Sequence, residues 1–178
     1  MRFYLFVFLG AFSFAQAQVV EQTRPLSGGA TAHFTTETTD TLNPPFVDDF
    51  SYGSDRPTQE LWSDQDVWIN DAMPLFQNSI GVATFDGCNA FGKPYQPGNI
   101  TTNGISDQLS SNYINLQGAT NVWLSFQYQR AGRGEAPSSS DSLVVLFYSP
   151  VASTWTQVWG VKGTSNADAC NTAMHPVT

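Results

Sequence analysis

The paired carboxylates of this chain are Asp64 and Asp66, and two nearby acids are what a glycosidase needs for general acid and base catalysis. Such enzymes commonly place several acids alternately on one strand, so that they face a cleft together. Asp64 and Asp66 lie instead in a segment rich in Ser, Gln and Asp, where aspartates typically cap backbone amides of a turn. The sequence therefore predicts turn residues here and no catalytic residue.

Nucleophilic and zinc-dependent catalysis are also poorly supported. The two histidines, His33 and His175, each lie in a terminal segment without a regular pattern. A Ser–His–acid arrangement needs a base beside its nucleophile, and no G-x-S-x-G motif occurs. Zinc sites need clustered His and Cys ligands, and none are paired at ligand spacing. We predict a protein that is not an enzyme.

Calcium is the cofactor that the acids could bind, because Ca²⁺ prefers carboxylate and carbonyl oxygens. Asp48 and Asp49 precede the first predicted strand of the main domain and are the candidate ligands. Asp86, Asp107 and Asp141 lie at loop edges and are alternative donors. No D-x-D-x-D-G spacing is present, so exposed turn aspartates are the simpler interpretation. No other cofactor is predicted.

Three tryptophans are candidate carbohydrate-binding residues, because sugar rings stack on exposed aromatic faces. Trp123 lies on one predicted strand, and Trp155 and Trp159 lie on another, where alternation places both on one face. The alternative is that all three fill the core, since tryptophan is highly buried on average. Trp62 and Trp68 are predicted to be packing anchors.

The two cysteines, Cys88 and Cys170, form a candidate disulfide if the chain reaches an oxidising compartment. A bridge between them would close a long loop and stabilise the fold by a few kcal/mol. The alternative is that both remain unpaired, because Cys170 lies in a tail without a clear pattern.

The amino terminus predicts export. A positive start at Arg2, an apolar run over 3–14 and the small-x-small motif 15–17 are typical of a secretory signal peptide cleaved between Ala17 and Gln18. The apolar run is too short to span a bilayer, so we expect no membrane span after cleavage. The protein is predicted to be secreted or displayed at the cell surface.

The formal net charge of -8 argues against nucleic acid as a partner, because the basic residues are few and scattered. Charged residues make up 12% of the chain, while uncharged polar residues are abundant, as in many extracellular β proteins. Expected partners are an extracellular polysaccharide or a surface protein.

Short apolar runs separated by Gly, Pro, Asn, Asp and Ser predict an all-β fold without a substantial helix. Residues 122–129 alternate, which predicts one face for a core, whereas 142–148 is apolar on both faces, as in a central strand. With 154–159 these form three predicted consecutive antiparallel strands. Shorter strands are predicted at 67–69, 81–85 and 113–116, with one more near 32–34. The predicted division is a signal peptide at 1–17, a flexible arm at 18–45, a β-sandwich at 46–163 and an irregular tail at 164–178.

A family resemblance rests on the segments VDDF, VWIN, SIGVATFDG, AFGKPY, ISDQLSS, VWLSFQYQ, GRGEAP, DSLVVLFYS and TWTQVW. Together they resemble the amino-terminal domain of large secreted proteins of gliding-type bacteria that end in a type IX secretion sorting domain. The middle portion is also similar to MAM-type modules. The resemblance covers residues 48–163 and implies a concanavalin-like jelly roll of two antiparallel sheets.

One departure from that family concerns the segment after Gly163. Such domains continue with two or more strands, whereas residues 164–178 show no alternating pattern. We therefore expect a fragment of the domain, with closing strands missing and a sheet edge left open.

The function predicted from these features is a secreted, non-catalytic interaction module that adheres to carbohydrate or another extracellular polymer. One alternative is a structural spacer domain of a larger surface protein. A degenerate glycosidase-like jelly roll is a further alternative.

Overall fold

The computed structural model describes residues 2–8, 41–98, 104–164 and 170–177, and in these ranges the protein is all-β. The pairings between its strands are antiparallel, which confirms the predicted fold class. No helix in the described part is long and apolar enough to cross a membrane. The strands are β1 (Arg2–Phe8), β2 (Trp68–Asn70), β3 (Val82–Thr84), β4 (Ile105–Ser110), β5 (Trp123–Tyr128), β6 (Ser142–Ser149), β7 (Thr154–Lys162) and β8 (Asn171–Pro176).

The main sheet has the strand order β4-β1-β6-β7. β6 is a central strand, as its apolar sequence predicts, and Val144, Val145 and Phe147 on its two faces are all buried. A strand covered on both faces can carry apolar residues at successive positions. The prediction for this segment is confirmed.

β1 lies within the predicted signal peptide and is also a central strand. Tyr4 lies opposite Ser110 of β4 and opposite Leu146 of β6, so the strand is paired along both edges. The predicted cleavage between Ala17 and Gln18 would remove this strand from the protein. Both of those residues lie outside the described ranges, as do His33 and the strand predicted near 32–34.

β5 and β8 form a separate two-stranded ribbon, in which Trp123 lies opposite Pro176 and Tyr128 lies opposite Asn171. The prediction that β5, β6 and β7 are consecutive neighbours is wrong for β5, whereas β6 and β7 do pair. The tail predicted to be irregular contains β8. Its inward positions carry the small Ala173 and the polar His175 rather than large apolar residues, so no clear apolar alternation marks it as a strand.

The ribbon contacts the main sheet through aromatic rings. The ring of Trp159 on β7 lies 5.0 Å from that of Phe126 and 4.7 Å from that of Tyr128, both on β5. The ring of Phe147 on β6 lies 5.7 Å from that of His175 on β8. These contacts define the inner face of the main sheet as the one that carries Val145 and Phe147.

A second packed region lies where the β2–β3 hairpin meets β4. Val67, Ile69 and Leu109 are buried together there, and Phe50 and Trp62 pack against them. β4 was missed in the sequence because its Ser and Asp residues look like a loop, although Ser106, Asp107 and Ser110 are buried. The strand predicted at 113–116 is reduced to an isolated bridge between Leu42 and Ile114.

Candidate functional site

The three tryptophans predicted to bind carbohydrate lie on three different surfaces. On β7, Trp155 lies opposite Tyr148 and Trp159 lies opposite Val145, with a register shift between Val145 and Leu146. Val158 is the extra residue, and an extra residue reverses the alternation of side chains beyond it. The prediction that Trp155 and Trp159 share a face is therefore wrong.

Trp159 is part of the interior. Its ring meets Phe126 at 88° and Tyr128 at 64°, which are edge-to-face contacts of the kind that stabilise aromatic cores. Trp159 is half-buried, and its ring is already in contact with two rings of β5. We assign Trp159 to packing between the ribbon and the main sheet.

Trp155 lies on the outer face of the main sheet and is 37% exposed. Its ring centroid is 4.6 Å from that of Tyr148, with the two planes inclined by 35°. Gln157 lies on the same face and is exposed. This pair is an aromatic surface that a ligand can reach in part.

Trp123 is the most exposed of the three, at 57%, and begins β5. Ser125 and Gln127 alternate with the inward residues of β5 and therefore share its face. On β8 the residues opposite these three are also exposed. We call this surface the ribbon outer face; its residues are Trp123, Ser125, Gln127, Thr172, Met174 and Pro176.

The Asp48 carboxylate is engaged within the protein. It accepts hydrogen bonds from the Trp62 indole at 2.6 Å, from the Tyr52 hydroxyl at 3.3 Å and from the Phe50 amide at 2.8 Å. This anchors Trp62, as the sequence predicts for that residue. Asp48 thus ties the start of the main domain to the packed region around β2.

Asp49, the other candidate calcium ligand, is exposed and accepts a hydrogen bond from the Ser51 amide at 3.1 Å. Hydrogen bonds from the Ser51 side chain and backbone lower the pKa of Asp49. Within residues 41–98, 104–164 and 170–177, no group of three or more His, Cys, Asp or Glu side chains is placed to hold a metal ion.

Asp107, predicted from the sequence only as an alternative calcium donor at a loop edge, is a buried residue of β4. Asp107 is fully buried, and its Oδ2 accepts a hydrogen bond from the Gly87 amide at 2.8 Å. Its Oδ1 and the Tyr95 hydroxyl are both buried without a hydrogen-bond partner. Loop 86–95 therefore closes over a polar group that water cannot reach.

Burial is the main influence on the protonation of Asp107. Burial raises the pKa of Asp107 to about 7; the hydrogen bond from the Gly87 amide opposes the rise, and the nearby carboxylates of Asp86 and Asp66 add to it. Burial likewise raises the pKa of Tyr95, with further contributions from Asp107 and Asp66. This environment favours the neutral form of the carboxyl.

Asp66, one of the two paired carboxylates, belongs to the edge of this cluster. Burial raises its pKa, while a backbone amide at Ala90 and the charge of Arg56 lower it. The Arg56 guanidinium donates hydrogen bonds to the carbonyl oxygens of Asp66 at 3.1 Å and Val67 at 3.2 Å. Asp66 and Asp107 are thus close enough to interact electrostatically, beside the partly exposed loop 86–95 rather than across a cleft.

Cys88 and Cys170 are both free thiols, so the candidate disulfide is not formed. The Cys170 Sγ lies 3.7 Å from the Gln127 Oε1 and donates a hydrogen bond to it. Cys88 lies beside the buried carboxylates, where burial and the charges of Asp86 and Asp107 raise its pKa. Cys170 therefore belongs to the ribbon, and Cys88 belongs to the loop beside Asp107.

An apolar cleft of about 950 Å³ lies between the inner face of β5 and the β3 region. Phe50, Leu124 and Phe126 are among the residues that line it, and it reaches Leu109 of β4 and Val145 of β6. Its volume is within the range of ligand pockets. In the sequence, the alternation of β5 marks its inward-facing residues. In the structure those residues are only half-buried, because the cleft lies beside them.

Comparison of the chain with models of protein families, with curated proteins and with solved structures finds no match. What the protein binds must therefore be inferred from its own surfaces.

Proposed function

We propose that the protein is a secreted, non-catalytic interaction module whose ribbon outer face binds carbohydrate in an extracellular polysaccharide. The observation that supports this is Trp123, an indole that is 57% exposed on a sheet surface and followed by polar side chains on the same face. A secreted or cell-surface location rests on the signal peptide predicted from the sequence.

The surface around Trp123 has the two components of a sugar site. The indole offers an apolar face for stacking, and Ser125 and Gln127 provide a hydroxyl and an amide for hydrogen bonds. Successive residues on one face of a strand are about 7 Å apart, so these groups lie within reach of one or two sugar rings. Trp123 takes part in none of the aromatic contacts between the ribbon and the main sheet. It can therefore bind a sugar without rearrangement of the core.

The positions of the acidic residues support a non-catalytic role rather than a glycosidase activity. A general acid must touch the leaving-group oxygen of its substrate. Asp107 has the raised pKa of a general acid, yet it is fully buried beneath loop 86–95. A substrate cannot approach it without the loop opening.

We also propose that the fold is a concanavalin-like jelly roll related to MAM-type modules and to amino-terminal domains of type IX-secreted proteins. The antiparallel all-β architecture and the contacts between ribbon and main sheet support this. The second candidate function, a structural spacer of a larger surface protein, would require no ligand at the ribbon outer face.

A glycan array probed with the purified chain separates these functions. We expect binding to a restricted set of glycans, with loss of binding in Trp123→Ala and retention in Trp155→Ala, which alters the opposite surface. Circular dichroism shows whether both variants keep the β fold. Absence of any bound glycan, or equal binding by Trp123→Ala, would reject the carbohydrate site and favour the spacer.

A further inference from the structure

The ribbon outer face consists of three cross-strand pairs of residues. The pairs are Trp123 with Pro176, Ser125 with Met174, and Gln127 with Thr172. All six side chains are exposed to solvent. Successive pairs are about 7 Å apart along the ribbon, so the three pairs extend over about 14 Å. A ligand of two linked sugar rings can therefore contact all of them.

The face changes from apolar at one end to polar at the other. Trp123 and Met174 are 57% and 64% exposed, and Pro176 lies opposite Trp123. At the other end, Gln127 and Thr172 provide an amide and a hydroxyl. An exposed indole beside hydrogen-bonding groups suits a ligand with an apolar ring face and a polar edge. A sugar ring has both.

The ribbon is also without charge. Residues 117–129 and 171–177, which contain both strands and the chain beside them, include no Lys, Arg, Asp or Glu. His175 is the one histidine of these segments, and it lies at an inward position with its ring 5.7 Å from that of Phe147. The two strands therefore give the ribbon outer face an aromatic ring and hydrogen-bonding groups but no charged side chain.

An anionic group of a glycan would be unfavourable on this face. A bound carboxylate or sulfate loses water, and binding sites usually offset that loss with Arg or Lys. The net charge of -8 adds repulsion of any polyanion. A neutral sugar needs no such compensation, because its hydroxyls exchange hydrogen bonds to water for bonds to Ser125, Gln127 and Thr172.

We infer that the ribbon outer face selects uncharged glycans and discriminates against glycans that carry carboxylate or sulfate groups. This inference rests on the carbohydrate binding proposed for Trp123 and names the class of ligand. The selectivity comes from what the face withholds, a compensating positive charge, as much as from the contacts that it offers.

The test is an array of neutral and acidic glycans probed with the purified chain. Each uronic acid polymer is present as the free acid and as its methyl ester, which share a backbone and differ in charge. We expect the bound glycans to be uncharged, and a polymer bound as its ester to bind about tenfold more weakly as the free acid. Raising the salt concentration from about 0.05 M to about 0.5 M should narrow that difference, because it screens the repulsion.

Two variants test whether the missing charge is the cause. Ser125→Lys places a cation at the middle pair and Thr172→Lys places one at the polar end, so obstruction of the ligand at one position does not decide the result. We expect at least one of them to bind the free acids about two- to fivefold more tightly than wild type, as for an exposed ion pair. Gln157→Lys is the matched control, because it adds the same charge on the outer face of the main sheet.

The outcomes separate this inference from the function on which it rests. Binding of neutral glycans alone, lost in Trp123→Ala, supports both. If acidic glycans bind through Trp123 as tightly as neutral ones, the carbohydrate site stands and the selectivity is overturned. An equal gain in Gln157→Lys, or no gain in either ribbon variant when circular dichroism shows both to be folded, also overturns it. An array without any bound glycan rejects the carbohydrate site and the inference together.

Discussion

Trp155 and Trp159 are four residues apart on β7 and lie on opposite faces of the main sheet, because Val158 has no partner on β6. One bulge thus separates a partly exposed tryptophan from one that packs against β5. The two residues should respond very differently to truncation.

Trp159→Ala should destabilise the fold by about 3–5 kcal/mol, since it removes a ring packed on Phe126 and Tyr128 and leaves a cavity. Trp155→Ala, which loses only its contact with Tyr148, should cost about 1 kcal/mol. Urea unfolding followed by circular dichroism measures both. Equal losses would show that the two indoles are packed alike.

Asp107 predicts a stability that falls as the pH rises. Its pKa is raised in the folded state from an ordinary 3.8 to about 7, so between these values the folded protein binds more protons than the unfolded chain. Linkage then makes the free energy of unfolding decrease with pH across this window, by at most roughly 4 kcal/mol.

Asp107→Asn should remove most of that pH dependence and stabilise the protein at pH 8, because the amide stays neutral. The matched control is Asp71→Asn, which changes an exposed aspartate and should leave the pH profile unchanged. Thermal unfolding from pH 4 to pH 8 measures the three proteins. A wild-type stability that rises over this range would contradict the assignment.

Asp48→Ala should destabilise the domain by about 1–3 kcal/mol, because it leaves the Trp62 indole and the Phe50 amide without their acceptor. Asp49→Ala is the adjacent control and should change stability by no more than about 0.5 kcal/mol, since its side chain is exposed. The change in urea midpoint distinguishes them. The same measurements with added calcium test the calcium prediction: stabilisation of wild type by calcium that is lost in the Asp48 and Asp49 variants would support it.

Gly81→Ala should be harmful because a Cβ at this position would lie 2.2 Å from the Phe50 carbonyl oxygen. Relief of that contact requires movement of backbone, and we expect a loss of about 1–3 kcal/mol. At Gly53 nothing lies within 4 Å of the added atom, so Gly53→Ala should be neutral or slightly stabilising. Comparison of the two midpoints tests how closely β3 approaches the start of the domain.

Ellman's reagent should titrate two thiols per unfolded chain, since both cysteines are free. In the folded protein Cys88 should react slowly at pH 8, because burial and nearby carboxylates raise its pKa. Cys88→Ser identifies the slow phase. Recovery of no thiol without a reductant would show that the disulfide predicted from the sequence forms after all.

Within residues 46–178, the sequence predicted the strands whose residues alternate or are continuously apolar, and it missed β4 and β8, whose residues are polar or small. β1 is apolar, but its sequence was assigned to the signal peptide. β6 was found because Val144, Val145 and Phe147 make an apolar run that only a covered strand can hold. β4 was missed because Ser106 and Asp107 have loop chemistry, and their burial depends on Gly87 and loop 86–95 folding over them.

The candidate site shows the same division. Exposure of Trp123 follows from its position on the polar face of an alternating strand, and that could be predicted. Trp155 and Trp159 have opposite orientations because of the bulge at Val158. The alternation of residues in the sequence does not show where a bulge occurs. The proximity of Asp66 and Asp107 depends on a long-range contact between a loop and β4, which spacing along the chain does not encode.

The pairing of β1 also orders events during synthesis. Tyr4 pairs with Ser110 and Leu146, so the amino terminus acquires its partners only after most of the chain has been made. Contacts at such long sequence separation form slowly, because closing the loop costs entropy before any hydrogen bond is gained. The first residues therefore emerge from the ribosome well before their partner strands, β4 and β6, have been made.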